Sequence, residues 1–164
     1  VSFDLHPTST AIADVLASIS GQYDLVYGWN AAGGSWMKYA PGVGYGDTLT
    51  TLDETRGFWI KMNTADTLSV SGTVVSPTSI ALESGWNLVG FPAGANLVLP
   101  DAFTLHGVAT ELDLVYAYRA NEPGDPWKLF DPEAPAWVND LNEMAPGWGY
   151  WVFVSADCTW TVVH

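Results

Sequence analysis

Five aromatic residues that stand in loops or at strand ends, Trp29, Tyr45, Tyr118, Trp137 and Trp148, are the side chains of this 164-residue chain best suited to hold a ligand. Asn30, Asp131 and Asp140 stand among them in the same turns. The chemistry this mixture points to is stacking of sugar rings. A pyranose presents an apolar patch of C–H groups that lies well on an aromatic face, while its hydroxyls need carboxylate and amide partners nearby. Exposed aromatics with a few polar neighbours mark a binding surface rather than a core. Nine tryptophans in a chain of this size give such a surface ample material.

Chemistry that makes or breaks bonds finds less support. None of the patterns HExxH, CxxC, GxSxG, GxGxxG or the Walker phosphate loop occurs. The three histidines, His6, His106 and His164, share no common position. Asp24 and Asp113 are matched carboxylates, but at strand starts, where turn chemistry accounts for them. The reading is therefore non-catalytic, with no cofactor. No DxDxDG calcium loop is present, and no metal is expected. A single cysteine, Cys158, allows no internal disulfide.

The charge balance narrows the partners. Eighteen acidic against five basic residues give a formal charge of −13, which opposes nucleic acid and anionic membrane surfaces, both of which need clustered Lys and Arg. No apolar run approaches the roughly 20 residues of a membrane span, so no membrane insertion is expected. With 48% hydrophobic residues the chain has enough apolar mass for a core.

The elements that must position these aromatics follow from the pattern. Ile12, Val15, Leu16 and Ile19 form one apolar stripe, which predicts a helix within residues 6–19, capped by Thr8 or Ser9. Tyr23 to Trp29 alternates as a strand, with Leu25, Tyr27 and Trp29 on one face and Val26 and Gly28 on the other. Residues 30–34 turn it into a hairpin partner at Trp36 to Tyr39. A Gly-rich loop carrying Tyr45, a helical turn within residues 48–55, a strand over 57–62 and an edge strand over 68–70 complete the first half, and residues 71–79 read as a linker.

The second half repeats this order. It opens on the stretch Glu83-Ser-Gly-Trp-Asn-Leu-Val-Gly-Phe-Pro92, with a strand over 86–91 that Pro92 stops. A shorter helix is expected within 99–106. Leu114-Val-Tyr116 matches Leu25-Val-Tyr27, Trp127 and Pro132 match Trp36 and Pro41, and Gly149-Tyr-Trp151 matches Gly57-Phe-Trp59. The offset drifts only in turns. The chain thus reads as mainly β with one or two short helices, in two pseudo-symmetric copies of a small antiparallel unit, residues 1–75 and 76–164, packed as one compact body. Val1-Ser-Phe3 matches Val89-Gly-Phe91, so the first copy is expected to begin inside its strand, as in a fragment. The pairs Tyr27/Tyr116, Trp36/Trp127, Phe58/Tyr150 and Trp59/Trp151 are expected to serve the two copies of one core, and Trp160 to pack on an edge strand.

The run of motifs Trp86-Asn-Leu-Val-Gly-Phe-Pro92, Trp127-Lys-Leu-Phe-Asp-Pro132 and Gly147-Trp-Gly-Tyr-Trp151 resembles a repeat module near the C-termini of large secreted or surface-attached bacterial proteins, notably of Chloroflexi-like bacteria. The resemblance covers essentially the whole chain. It implies an extracellular or cell-surface location and a parent multidomain protein. The resemblance carries no activity, and the residues themselves leave two expectations: a carbohydrate-binding module with a polysaccharide partner, or a structural and protein-interaction module whose tryptophans are mostly core. Exposure separates them. Coplanar, exposed Trp29, Trp137 and Trp148 favour sugar, and their burial favours structure.

Overall fold

In the computed structural model, which describes residues 1–108 and 110–164, the predicted helix begins late. His6–Pro7 is instead a two-residue strand, β1, paired with residues 72–73. Residues 10–12 bond to a neighbouring segment: Ile12 N–H donates to the Thr50 carbonyl (3.0 Å) and Leu52 N–H to that of Thr10 (2.8 Å). These bonds to a distant segment remove the backbone groups a first helical turn would use, and β-branched Thr8 and Thr10 defend that turn poorly. The helix α1 is left with Ile12–Val15, followed by a 3₁₀ turn at Ala17–Ile19. No side chain caps α1; Ser9 Oγ accepts from Ala11 N–H (3.3 Å) and donates to Asp14 (2.7 Å). The stripe holds even so: Ile12, Val15, Leu16 and Ile19 are all buried.

The alternating stretch forms β2 (Tyr23–Asn30), flanked by β3 (Ser35–Tyr39) and β4 (Trp59–Met62) in a three-stranded antiparallel sheet of order β3-β2-β4. The faces fall as the pattern requires, with Val26 fully buried and Tyr27 and Trp29 on the opposite side. Two expectations on this half are corrected. Residues 48–55 form no helix: residues 48–53 have no regular structure beyond a bridge from Thr51 to Ala11, and residues 54–55 form a turn. Residues 68–70 form no strand; β5 is Gly72–Thr73, the partner of β1.

The expected linker over 71–79 is also partly strand. Thr78–Leu82 forms β6, whose alternate residues Thr78, Ile80 and Leu82 are buried. Then come β7 (Gly85–Val89), β8 (Leu97–Val98), helix α2 (Asp101–Thr104), β9 (Leu112–Tyr118), β10 (Trp127–Phe130), β11 (Glu143–Met144), β12 (Tyr150–Val154) and β13 (Cys158–Val162). A four-stranded antiparallel sheet runs β10-β9-β12-β7, and two-stranded pairs β13-β6 and β11-β8 pack around it. The chain is mainly β: thirteen strands in antiparallel pairings and two short α-helices among the described residues.

Two apolar cores result. One gathers Phe3, Ile12, Leu16, Val26, Leu52 and Phe58 with their neighbours, and the other Phe91, Phe103, Val115, Leu141, Val152 and Trp160 with theirs. Of the aromatic pairs expected inside, only Phe58 and Tyr150 are buried.

The sheets meet through backbone. Gly57 N–H donates to the Leu88 carbonyl (3.1 Å) and Gly90 N–H to that of Thr55 (3.0 Å), while Ser2 N–H donates to Gly147 (3.0 Å). Close approach demands glycine here: a Cβ on Gly57 would stand 2.7 Å from the Val89 carbonyl oxygen and 3.1 Å from the Gly149 Cα. Beside this junction Asp53 accepts from Arg56 Nε (3.1 Å) and Nη2 (2.7 Å) and from Thr55 N–H (3.1 Å). Burial by itself would raise the Asp53 pKa, but the Arg56 and Thr55 bonds outweigh it and hold the carboxyl below its ordinary value of 3.8. A depressed folded pKa stabilises the fold above the unfolded pKa, and that contribution disappears as pH falls through the folded value. Asp53→Asn is therefore expected to lower the urea midpoint at neutral pH and to cost progressively less below pH 3.8. A cost that stayed constant across that range would show that the charge contributes nothing.

Candidate functional site

On each large sheet strand parity turns a set of aromatic residues away from the core, among a few Leu and Lys side chains on the same face. Register pairs Trp29 with Trp36 across β2 and β3, and Tyr27 with Trp59 across β2 and β4. In the second sheet Trp127 stands opposite Tyr118, Trp151 opposite Tyr116, and Trp86 opposite Phe153. Registered partners share a face, so each sheet carries a patch of rings on the side opposite its core.

The backbone junction then brings the two patches together. Trp151 of β12 lies against Trp29 (5.6 Å between ring centres) and Trp36 (5.5 Å) of the other sheet. Trp59 of β4 lies against Tyr118 (4.9 Å) and Trp127 (5.8 Å) in return. Most of these contacts are edge-to-face or tilted, the geometry ring quadrupoles favour. The arrangement is reciprocal: the tryptophan of each third strand meets the hairpin of the opposite sheet.

Between the rings is an open recess of about 390 Å³, walled by Trp29, Trp36, Trp86, Tyr116, Trp127 and Trp151. Trp36 keeps 51% of its surface exposed, Trp127 44% and Trp86 38%, so these three present ring surface to solvent. Trp29, Trp59 and Trp151 are half-buried and join the sheets. The Trp29 indole N–H donates to the Trp86 carbonyl (2.8 Å), which fixes that ring and uses up its donor.

A second hollow opens beside the first, walled by Tyr27, Trp36, Trp59, Ile60 and Lys61. Its rim is polar. Lys61 Nζ reaches Asp24 (3.1 Å), and the Asn63 amide donates to the same carboxylate (2.6 Å). The bonds from Asn63, and then from Lys61, hold the Asp24 carboxyl below its ordinary value, so this rim stays ionised at neutral pH. A further cavity of about 560 Å³ lies where the sheets adjoin, lined by Phe58, Ile60, Leu68, Leu88 and Trp148 among others. Among the described residues there is no group of three or more His, Cys, Asp or Glu placed to hold a metal ion, and no helix long and apolar enough to cross a membrane.

The residues singled out in the sequence are dispersed rather than gathered. Trp29 and Tyr118 belong to the aromatic face, Tyr118 packing between Trp59 and Trp127. Trp148 lies elsewhere, half-buried, with the Arg119 guanidinium over its ring at 5.8 Å. Trp137 and Tyr45 are loop tips, 85% and 84% exposed, that line neither recess. The polar companions are engaged in turns: Asn30 Oδ1 accepts from Gly33 N–H (3.2 Å), Asp131 Oδ1 from Glu133 N–H (2.8 Å), and Asp140 Oδ1 from Leu129 N–H (2.7 Å). The condition set on Trp29, Trp137 and Trp148 falls between its two outcomes, since Trp137 is exposed while Trp29 and Trp148 are half-buried.

The pairs assigned to a shared core need the converse correction. Trp36, Trp127, Trp59, Trp151, Tyr27 and Tyr116 lie on the faces away from the two cores and build the site instead. Trp86 joins them from β7. The signal that could have found them is parity: each stands an even number of residues from its outward neighbours, Tyr27 with Trp29 and Tyr116 with Tyr118. Once Val26 and Val115 take the core side, these rings must face out. No protein-family model, curated protein or solved structure matches this chain, so the aromatic face has to be understood from its own geometry.

Proposed function

We propose that this chain is a non-catalytic carbohydrate-binding module of a secreted or cell-surface protein, and that it binds through the joined outward faces of its two sheets rather than through its loop tips. The observation that carries the reading is the recess of five tryptophans and one tyrosine, three of whose indoles remain 38–51% exposed. Soluble proteins rarely leave so much contiguous aromatic surface to water without a ligand for it. Rigid rings on strands lose little conformational freedom on binding, and the hydroxyl-seeking rim at Asp24, Lys61 and Asn63 adjoins them. The reciprocal placement of Trp59 and Trp151 supports reading the halves as copies of one unit.

One observation favours the alternative, a structural module without a small ligand. Trp29, Trp59 and Trp151 are ring-to-ring contacts between the sheets, so part of the cluster serves cohesion in any case. Depletion of the purified chain from solution by insoluble cellulose, xylan and chitin distinguishes the two. We expect depletion by at least one polymer, lost in Trp36→Ala and Trp86→Ala, whose exposed rings leave the cores intact, and kept in Trp137→Ala. Absence of depletion on all three, with the chain folded by circular dichroism, would assign the rings to cohesion alone.

A further inference from the structure

Trp36 walls two hollows at once. On one side it closes the aromatic recess with Trp86 and Trp127; on the other it bounds the hollow of about 640 Å³ that holds Trp59 and Lys61. Resting on the carbohydrate reading, we propose that these hollows are adjoining subsites for successive rings of one neutral glycan chain, with Trp36 as the platform between them. The ligand is then an oligosaccharide or an internal stretch of polymer, not a single sugar.

The two hollows differ in a way that suits a chain of rings. The first is walled by aromatic side chains only, and its Trp29 donor is already committed to Trp86. It offers apolar faces and little else, as the C–H side of a pyranose requires. The second has one exposed aromatic wall and the lining residue Lys61, whose Nζ pairs with Asp24 (3.1 Å), so a donor and an acceptor stand together beside it. A sugar hydroxyl both donates and accepts, and can satisfy both groups at once.

Other ligands of aromatic grooves fit less well. A proline-rich segment also packs on tryptophan and tyrosine, but proline has no N–H, so its carbonyls can address the donor Lys61 and not the acceptor Asp24 beside it. A quaternary ammonium would suit the first hollow alone, because Lys61 places a like charge at the second. Acidic polysaccharides meet a chain of net charge −13 and are repelled. What remains is an uncharged glycan.

Two linked subsites raise affinity through effective concentration, because the second ring binds intramolecularly. Calorimetric titration of the chain with cello-, xylo- and chito-oligosaccharides of increasing length, and with polygalacturonate and a proline-rich peptide for comparison, tests this. For the glycan that binds, affinity is expected to climb roughly 100-fold from the monosaccharide to the length that fills both hollows, and then to level off. Trp86→Ala and Asp24→Ala, which alter opposite ends, should each return the oligosaccharide to near the monosaccharide affinity, and Trp36→Ala should abolish binding. Equal affinity for monosaccharide and oligosaccharide would overturn the paired subsites while leaving a carbohydrate module standing. Binding of no glycan at any length would remove the carbohydrate reading itself. Tighter binding of polygalacturonate or of the proline-rich peptide would overturn the neutral glycan as ligand.

Discussion

Trp160→Ala is expected to destabilise the chain by about 3–5 kcal/mol, the cost of truncating a large aromatic in a core that cannot collapse around the loss. Trp160 is 0% exposed. Its indole stacks on Phe103 (4.5 Å between ring centres, 21° between planes) and on Phe91 (6.0 Å, 12°), and its N–H donates to the Ala102 carbonyl (2.8 Å). Removing it opens a void between α2, the end of β7 and β13, and leaves that carbonyl without its donor. Set against a total stability of roughly 5–15 kcal/mol for a domain of ordinary size, the loss is large. Urea unfolding followed by far-ultraviolet circular dichroism reads it. Trp160→Phe keeps the stacking and loses the hydrogen bond, so it should cost about 1–3 kcal/mol. The shape of the curve carries a second answer. A single shifted transition means that the two cores unfold together, and a split one means that the core around Trp160 melts apart from that around Phe58. A cost below about 1 kcal/mol would show that β13 lies outside the cooperative unit.

Gly90→Ala is expected to part the two sheets. A Cβ at this position would collide with the Glu54 carbonyl and crowd that of Arg56 at 3.1 Å. Both are backbone atoms, so no side chain can rotate to relieve the clash. The backbone must separate, and the bonds from Gly90 N–H to Thr55 and from Gly57 N–H to Leu88 go with it. Overpacking of this kind costs about 1–3 kcal/mol, and two lost backbone bonds add about 1 kcal/mol each. The aromatic face is assembled across the same junction, so its ring contacts should loosen too. The near-ultraviolet circular dichroism of packed tryptophans is expected to weaken, and glycan binding with it. Gly124→Ala is the matched control: a Cβ there meets nothing within 4 Å, and its effect should stay within about 0.5 kcal/mol. Equal behaviour of the two variants would mean that the junction does not hold the sheets in place.

What could be read from the chain alone was local and periodic. The alternation of residues 23–30 named a strand and sorted Val26 and Gly28 from Tyr27 and Trp29, because side chains on extended backbone can only alternate. The turn at 30–34 and its partner strand followed from two residue types, asparagine and glycine, that tolerate the required backbone. The spacing of Ile12, Val15, Leu16 and Ile19 identified a buried stripe correctly, yet not the length of the helix beneath it. That length was decided by residues 50–52, which claim the backbone groups of 10–12 from 40 positions away. The two-residue strands β1, β5, β8 and β11 carry no pattern at all and exist only because a partner lies alongside.

The site divides in the same way. Parity places Trp36, Trp59, Trp127 and Trp151 on faces opposite the cores, and that much is present in the order of the residues. A face has no meaning for binding until its surroundings are known. An outward ring can lie under a neighbouring sheet, stand alone in water or meet other rings. Here the contact of Gly57 and Gly90 across the junction set the outward faces side by side and turned separate patches into one recess. Period in a sequence reports which residues point together; what they point at depends on contacts between segments tens of residues apart, and those belong to the tertiary structure alone.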